Sequence, residues 1–263
     1  MSSILLIVEG PDESKLFNKL KEIYNIDAQI FPVRSNIYHL YNTLKEYDFN
    51  GDIKTILREF KSISEKEKEL LKENFTYTYL VYDCDIQNTK KEEKDDPTIP
   101  YKNLDILVEM SEYFKDETDP TIGKLYINFP MIESYRDCDS FFDENYKNNT
   151  IELTNIKKYK EICGKKKLCR FHLDDYTKDN FCDLIRMNVY KLNQLINNEW
   201  KVPQYRNYLE ISPTKKVMSA EKEMIEKIGK ISVLNTSLFF TLDYFGNKNN
   251  FYDQVCKLNY SFS

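Results

Sequence analysis

Short apolar segments alternate with amphipathic segments along the first half of this chain, and this alternation restricts the folds that it can adopt. Four apolar segments predict strands: residues 4–9, 27–33, 77–85 and 124–133. Four segments with apolar side chains at helical spacing predict helices: residues 12–24, 36–46, 53–73 and 102–115. Because helices that connect parallel strands form right-handed crossovers, the pattern predicts an α/β fold with a mostly parallel sheet and helices on both faces.

The pattern changes after about residue 150, where residues 177–198 and 214–229 predict two amphipathic helices. Residues 231–246 are apolar and are compatible with a strand, a helix or both. The sequence therefore predicts an α/β domain over residues 1–148 and a mainly helical C-terminal region over residues 149–263. We expect the second region to serve dimerisation, partner binding or nucleic-acid contact, with 231–246 as the docking segment.

The composition favours a soluble cytoplasmic protein without membrane association. No apolar stretch approaches the ~20 residues of a membrane-spanning helix. The six cysteines are irregularly spaced without a Cys-x-x-Cys pair, which indicates a reducing compartment. The formal net charge of −5 argues against a protein that coats nucleic acid, but it is compatible with an enzyme that has a local basic groove.

Acidic side chains stand at the carboxyl ends of three predicted strands. Glu9 ends the first strand, Asp83 and Asp85 end the third, and Glu133 ends the fourth. In parallel α/β sheets, ligands bind beyond this edge. Because residues two apart on a strand face the same side, we expect Asp83 and Asp85 to point into one crevice, together with Glu9.

A crevice of several carboxylates predicts a bound cation. Two like charges ~4 Å apart repel by ~4 kcal/mol at an effective dielectric constant of ~20, so such a cluster does not stay ionised alone. Oxygen donors without histidine or thiolate suit Mg²⁺ or Mn²⁺. The predicted metal ligands are Glu9, Asp83, Asp85 and Glu133. Glu13 follows Pro11 and is equally suited to capping the first helix or to chemistry.

Two short motifs carry a resemblance to a known family. The segment "VEGPDE" (8–13) resembles the Val-Glu-Gly-x-x-Asp/Glu signature of Toprim domains, and "YDCD" (82–85) resembles their Asp-x-Asp. The resemblance covers roughly residues 1–145 and implies a Toprim-like, Rossmann-like sheet. It also implies acid/base work for Glu9, Mg²⁺ binding by Asp83 and Asp85, and a catalytic position for Glu13, as in the OLD-like branch.

The segment "PMIESYRDCDSFF" (130–142) resembles the Pro-x-x-Glu segments of Toprim nucleases in anti-phage systems such as PARIS. This resemblance implies a Mg²⁺-dependent endonuclease that hydrolyses DNA or RNA, with tRNA as one candidate substrate. It further implies a defence effector that works with an ABC-type ATPase, and a catalytic or metal-binding role for Glu133. Topoisomerases and primases need further domains that a chain of 263 residues does not accommodate.

The run "KKYKEICGKKKLCRF" (157–171) is the best candidate for contact with nucleic-acid phosphates. Its predicted contact residues are Lys165, Lys166, Lys167 and Arg170. A solvated charged face explains the run equally well. OLD-like nucleases also use a lysine near the scissile phosphate, and the sequence does not choose between Lys124 and this run.

Two alternatives stay open. In the first, the chain is a Toprim-like binding module without turnover that docks on a partner ATPase. In the second, it has a restriction-like centre that combines Asp83 and Asp85 with "EEK" (92–94). The second alternative is weak, because "EEK" falls in a predicted loop and not on a strand.

Overall fold

A computed structural model of the protein describes residues 3–89, 96–116 and 118–256. The triplet "EEK" (92–94) lies outside the described residues. The chain divides into two compact units, residues 1–127 and 128–263. The predicted domain boundary after residue 148 lies inside the second of these units, which are described separately below.

The first unit is built around a sheet whose strands follow the predicted alternation. Its strands are β1 (Ile4–Val8), β2 (Ala28–Pro32), β3 (Tyr77–Asp83), β4 (Lys115–Asp116) and β5 (Gly123–Asn128). They form a five-stranded sheet in the order β2-β1-β3-β5-β4. β1 pairs in parallel with both β2 and β3, whereas β4 is antiparallel to β5. The prediction of an α/β fold with a mostly parallel sheet is therefore confirmed.

The helices of the first unit connect these strands. They are α1 (Pro11–Tyr24), α2 (Ile37–Glu46), α3 (Ile53–Arg58), α4 (Glu65–Leu70) and α5 (Ile99–Tyr113). The prediction of a single helix over 53–73 is wrong, because α3 ends at Arg58 and Ser64 caps the start of α4. Its hydroxyl accepts the N–H of Glu67, and the Glu67 carboxylate accepts the N–H of Ser64 at 2.8 Å, a capping box.

Gly123 begins β5 where no larger residue fits. Its φ is +95°, and a Cβ atom there would lie 2.9 Å from the carbonyl oxygen of Thr78. The start of β5 is thus packed against the start of β3. Lys124 consequently lies at the amino-terminal edge of the sheet, opposite the end of β3 at Asp83.

Strand β5 is shorter than the sequence predicted. It ends at Asn128, and Pro130, which has no N–H to donate, follows two residues later. Glu133 lies in a 3₁₀ helix, Ile132–Arg136, and so the prediction that it closes a strand is wrong. The predicted third strand also ends early, at Asp83.

The second unit is mainly helical with one small antiparallel strand pair, β6 (Thr150–Glu152) and β7 (Lys230–Ser232). Its helices are α6 (Tyr159–Cys163), α7 (Lys178–Asn197), α8 (Tyr205–Ile211), α9 (Thr214–Ile228), α10 (Phe239–Phe245) and α11 (Phe251–Cys256). Within the described parts of the chain, none of the helices is both long and apolar enough to cross a membrane.

The apolar segment 231–246 contains a strand end followed by a helix, which is one of the predicted outcomes. Residues 231–242 are all buried within the second unit. Residues 243–246 are partly exposed, so only the end of the segment is accessible to a partner. The role of 231–246 in dimerisation or docking stays a prediction.

Helix α7 runs through that core, and it buries polar side chains as well as apolar ones. The Oδ1 atom of Asn188 accepts the N–H of Asn235 at 2.8 Å, and Asn235 donates through Nδ2 to the carbonyl oxygen of Ile132 at 2.9 Å. Both asparagines are fully buried. Because unpaired buried polar groups are costly, these bonds fix the path of three distant segments.

Lys191 and Glu221 are among the charged side chains buried in the same unit. Lys191 donates through Nζ to the carbonyl oxygens of Lys147 and Asn149, both at 2.8 Å, and burial lowers its pKa to about 8. Glu221 is 0% exposed and accepts the N–H of Ser232 at 2.9 Å. Burial raises the pKa of Glu221 to about 7.

We expect Glu221→Gln to change how stability depends on pH. The native carboxyl keeps its proton up to about pH 7, whereas the unfolded one releases it near 4.5, so wild-type stability falls as pH rises between these values. Glutamine does not titrate. Relative to wild type, the variant should gain about 3 kcal/mol across this window, as measured by urea unfolding at several pH values.

Glu223→Gln is the matched control, because Glu223 lies on the same helix but is exposed and pairs with Lys227. Its stability relative to wild type should not grow across this window. Parallel curves for Glu221→Gln and wild type would contradict the raised pKa.

Candidate functional site

The carboxyl ends of β1 and β3 bring Glu9 and Asp83 together. The N–H of Glu9 donates to the carbonyl oxygen of Val81 at 3.1 Å, which extends the pairing of the two strands by one residue. The Oε2 atom of Glu9 accepts the N–H of Asp83 at 3.1 Å. The carboxylate of one strand end is therefore held at the end of the neighbouring strand.

This position is a switch point in the topology of the sheet. From β1 the chain crosses to β2 on one side, and β3 lies on the other side. Connections that leave a sheet in opposite directions open a crevice beyond the carboxyl ends of the two strands, where α/β proteins bind their ligands. Glu9 and Asp83 stand at the ends of the two strands that flank this switch point.

Asp85 follows the end of β3 but does not lie on the strand, as the sequence pattern predicted it would. It lies in a turn beyond β3 with a φ of +37°, and its Oδ1 atom accepts the Nε2–H of Gln87 at 3.0 Å. The argument that strand pleating points Asp83 and Asp85 the same way is wrong, because the strand ends first. A left-handed aspartate costs on the order of 1 kcal/mol, and such strain is concentrated at functional sites.

Tyr38 on α2 fixes the turn between the two aspartates, and sequence reasoning missed it. Its hydroxyl donates to the carbonyl oxygen of Cys84 at 2.5 Å. Burial raises the pKa of Tyr38 well above its ordinary value, and electrostatic interactions with Cys84, Asp85 and Glu9 raise it further. The hydroxyl thus stays protonated as a donor, close to both carboxylates. The available signal was a tyrosine on the buried face of a helix, which needs a polar partner.

Glu13 has a structural role at the start of α1. It is 5% exposed, and its Oε2 atom accepts the N–H of Gly10 at 2.9 Å. This bond satisfies one of the free donors at the helix N-terminus, where a negative charge is also favoured. The catalytic role that the resemblance implies for Glu13 stays a prediction.

Glu133 belongs to the second unit and is paired there. Its Oε1 atom lies 3.0 Å from Nζ of Lys160, and the residue is 8% exposed. Its Oε2 atom is buried and makes no hydrogen bond among the described residues. The ammonium group offsets the negative charge of this carboxylate without a metal, and its metal-binding role stays a prediction.

The basic run of the second unit is partly neutralised. Lys165 lies 3.7 Å from Glu161, and Lys166 lies 3.7 Å from Asp139. Exposed ion pairs of this kind are weak, so these lysines remain able to exchange partners. The predicted nucleic-acid contacts of Lys165, Lys166, Lys167 and Arg170 stay a prediction.

A groove beside Glu9 contains cationic and aromatic residues that the sequence analysis did not single out. The N–H of Arg34 donates to the carbonyl oxygen of Glu9 at 2.8 Å, and its guanidinium group pairs with Glu67 at 2.8 Å. Arg34 and Lys61 line a groove of about 510 Å³ together with His39, whose ring stacks on Phe60. Glu46 and Glu59 line the same groove. Arg34 lies two residues beyond the end of β2, so the carboxyl-edge rule that selected Glu9 also pointed to it.

The donor set at this edge fits a Mg²⁺ ion that the protein holds by few ligands. Among the described residues, no group of three or more Asp, Glu, His or Cys side chains is placed to hold a metal, and the predicted four-carboxylate ligand set stays a prediction. Mg²⁺ commonly takes only one or two carboxylates and fills its other positions with water and substrate phosphate. The carboxylates of Glu9, Asp83 and Asp85 meet that lesser requirement.

Tyr38→Phe removes one hydrogen bond from the turn that carries Asp83 and Asp85. We expect the free energy of unfolding to fall by about 1 kcal/mol, because the hydroxyl is buried and donates to a backbone carbonyl. Urea unfolding monitored by circular dichroism measures this change.

Tyr41→Phe is the matched control on the same helix, since the Tyr41 hydroxyl bonds the side chain of exposed Glu109. Tyr41→Phe should lower the free energy of unfolding clearly less than Tyr38→Phe does. An equal or larger loss in Tyr41→Phe would show that the bond to Cys84 does not stabilise the turn.

Comparisons with known proteins returned no match among protein-family models, curated proteins or solved structures. The resemblance to Toprim domains therefore rests on the residues of its short motifs alone.

Proposed function

We propose that the first unit carries a Mg²⁺-dependent phosphodiesterase centre that cleaves nucleic acid internally. The observation that carries this proposal is the 3.1 Å bond from the Asp83 N–H to Glu9 Oε2 at the switch point of the sheet. It holds a partly exposed carboxylate in a fixed orientation beside a second, 6% exposed one. Hydrophobic cores do not need such a pair, whereas cation-assisted hydrolysis does.

Asp83 and Asp85 would hold Mg²⁺ or Mn²⁺, and Glu9 would accept the proton of the attacking water. A bound Mg²⁺ supplies positive charge against the phosphate oxygens. Glu9 suits proton transfer because its carboxylate is oriented by the Asp83 N–H and remains accessible to solvent. Tyr38 keeps the Asp83–Asp85 turn in place through the Cys84 carbonyl.

The neighbouring groove offers two cations that can contact a polyanionic substrate. Arg34 and Lys61 lie on its wall beside the acidic Glu46 and Glu59, and Arg34 is bonded through its backbone directly to Glu9. Contacts of this kind bind phosphates without reading sequence, which is compatible with either DNA or RNA, tRNA included. A role in anti-phage defence with an ABC-type ATPase follows only from the motif resemblance and belongs to the same proposal.

A binding module without turnover is the second candidate. The observation that favours it is that the described residues contain no group of three metal-ligating side chains. In this case the acidic edge would contact a partner protein such as an ATPase, and no metal would be needed.

Glu9→Gln should reduce cleavage by about 10²- to 10⁴-fold, because the amide does not accept the proton of the attacking water. The measurement is cleavage of supercoiled plasmid, single-stranded DNA and total tRNA, each with Mg²⁺ or Mn²⁺. The substrate that wild type cuts identifies the substrate class.

Glu22→Gln is the control, because Glu22 is an exposed residue of the same unit whose carboxylate lies 3.4 Å from Nζ of Lys19. It should cleave like wild type. Cleavage by wild type that survives in Glu9→Gln would refute the assigned role. Failure of folded wild type to cleave any substrate with either metal would favour the binding module.

Asp83→Asn and Asp85→Asn should each raise the Mg²⁺ concentration for half-maximal cleavage by about tenfold or more. Even the loss of a residue that only hydrogen-bonds a metal ligand typically lowers metal affinity by about tenfold. Chelation of the metal should abolish cleavage. Asp105→Asn, at an exposed position on α5, should leave the Mg²⁺ curve in place. Unshifted curves for both site variants would show that these carboxylates do not hold the ion.

A further inference from the structure

Two cysteines of the second unit lie side by side. The Sγ atoms of Cys163 and Cys169 are 2.8 Å apart, and both thiols are free. A disulfide bond has a length of about 2.05 Å, so the sulfur atoms need to approach by less than about 1 Å to bond. Among the described residues, no third metal-ligating side chain joins them, which excludes a zinc site built from this part of the chain.

The local backbone brings the pair together. Helix α6 ends at Cys163, the chain turns through Gly164 to Lys167, and a 3₁₀ helix, Leu168–Arg170, returns Cys169 to the same place. A residue outside the turn holds it in place, because the N–H of Lys167 donates to Oδ1 of Asp139 at 2.9 Å. The approach of the two sulfur atoms is thus a property of a hydrogen-bonded turn.

The two thiols differ in their access to solvent. Cys163 is 1% exposed, and its thiol donates to the carbonyl oxygen of Glu133 at 3.6 Å. Cys169 is partly exposed, and its thiol contacts the carbonyl oxygen of Arg136 at 3.5 Å. The positive charge of Arg136 and the opposing negative charge of Asp137 both act on the two sulfur atoms. A partly exposed cysteine beside a cation and a second thiol is the arrangement of a redox-sensitive site.

We propose that Cys163 and Cys169 form a redox-active dithiol that a hydroperoxide oxidises to a reversible disulfide. The sulfur of Cys169 attacks the peroxide, the O–O bond breaks, and the departing oxygen takes a proton to leave as an alcohol or water. Cys169 is then a sulfenic acid. The sulfur of Cys163 attacks it, the S–O bond breaks, and the released hydroxide takes the Cys163 proton to form water.

The disulfide would close the ends of the basic turn that contains Lys165, Lys166 and Lys167. It would also remove the thiol hydrogens that contact the carbonyl oxygens of Glu133 and Arg136. Oxidation therefore acts on the one segment of the second unit where positive charge is concentrated along the sequence. This inference does not depend on the proposed hydrolytic activity of the first unit.

Tryptic mapping of the full chain tests the proposal directly. Trypsin cuts after Lys160, Lys165, Lys167 and Arg170, so it separates Cys163 in peptide 161–165 from Cys169 in peptide 168–170. After treatment of the folded protein with hydrogen peroxide, we expect these two peptides to be joined under non-reducing conditions and separated by dithiothreitol. Cys169 should be oxidised at least about tenfold faster than buried Cys182.

Two substitutions assign the roles. In Cys163→Ser, Cys169 should accumulate as a sulfenic acid that dimedone traps, and in Cys169→Ser, Cys163 should stay reduced. Cys182→Ser is the control and should give the same joined peptides as wild type. Wild-type protein in which both cysteines stay free while other cysteines oxidise would overturn the proposal. Peptides joined equally to nearby Cys138 would also overturn it.

Discussion

The parallel pairing of β1 with β2 and β3 is the constraint on which the first unit depends. Every residue of β1 is at most 5% exposed, so the strand accepts apolar side chains on both faces. A polar side chain is tolerated only where the strand ends. That is where Glu9 stands, and the neighbouring strand supplies the N–H of Asp83 that binds its carboxylate. The burial of the strand thus determines where this unit can place a carboxylate.

The second unit is organised by buried polar side chains rather than by a central sheet. Asn188 and Asn235 bond each other and the backbone near Ile132, and they are inaccessible to solvent. Such bonds add modest stability, but each unpaired alternative is costly, so they select one arrangement of the helices. Buried Glu221 and Lys191 belong to the same pattern, and burial moves the pKa of each towards neutrality.

Most of the sheet was predictable from periodicity, and the errors have identifiable physical causes. The strands at the start of the chain follow from apolar runs bounded by turn residues. The helix predicted over 53–73 divides at Ser64, because a capping box competes with helix continuation. Asp85 and Glu133 were assigned to strand ends, yet β3 and β5 stop earlier, at Asp83 and Asn128. Strand ends depend on backbone pairing, which periodicity does not report.

The sequence by itself determined the alternation that produces the parallel sheet and the position of Glu9 and Asp83 at the carboxyl edge. Both follow from local patterns of apolar and acidic residues. Only the tertiary structure decided that Tyr38 bonds the carbonyl of Cys84 and that Arg34 adjoins Glu9. It also decided that Cys163 and Cys169 meet, because they lie on two different elements joined by a turn. Contacts of this kind depend on turns and on segments far apart in the chain, so they exist only once the chain is folded.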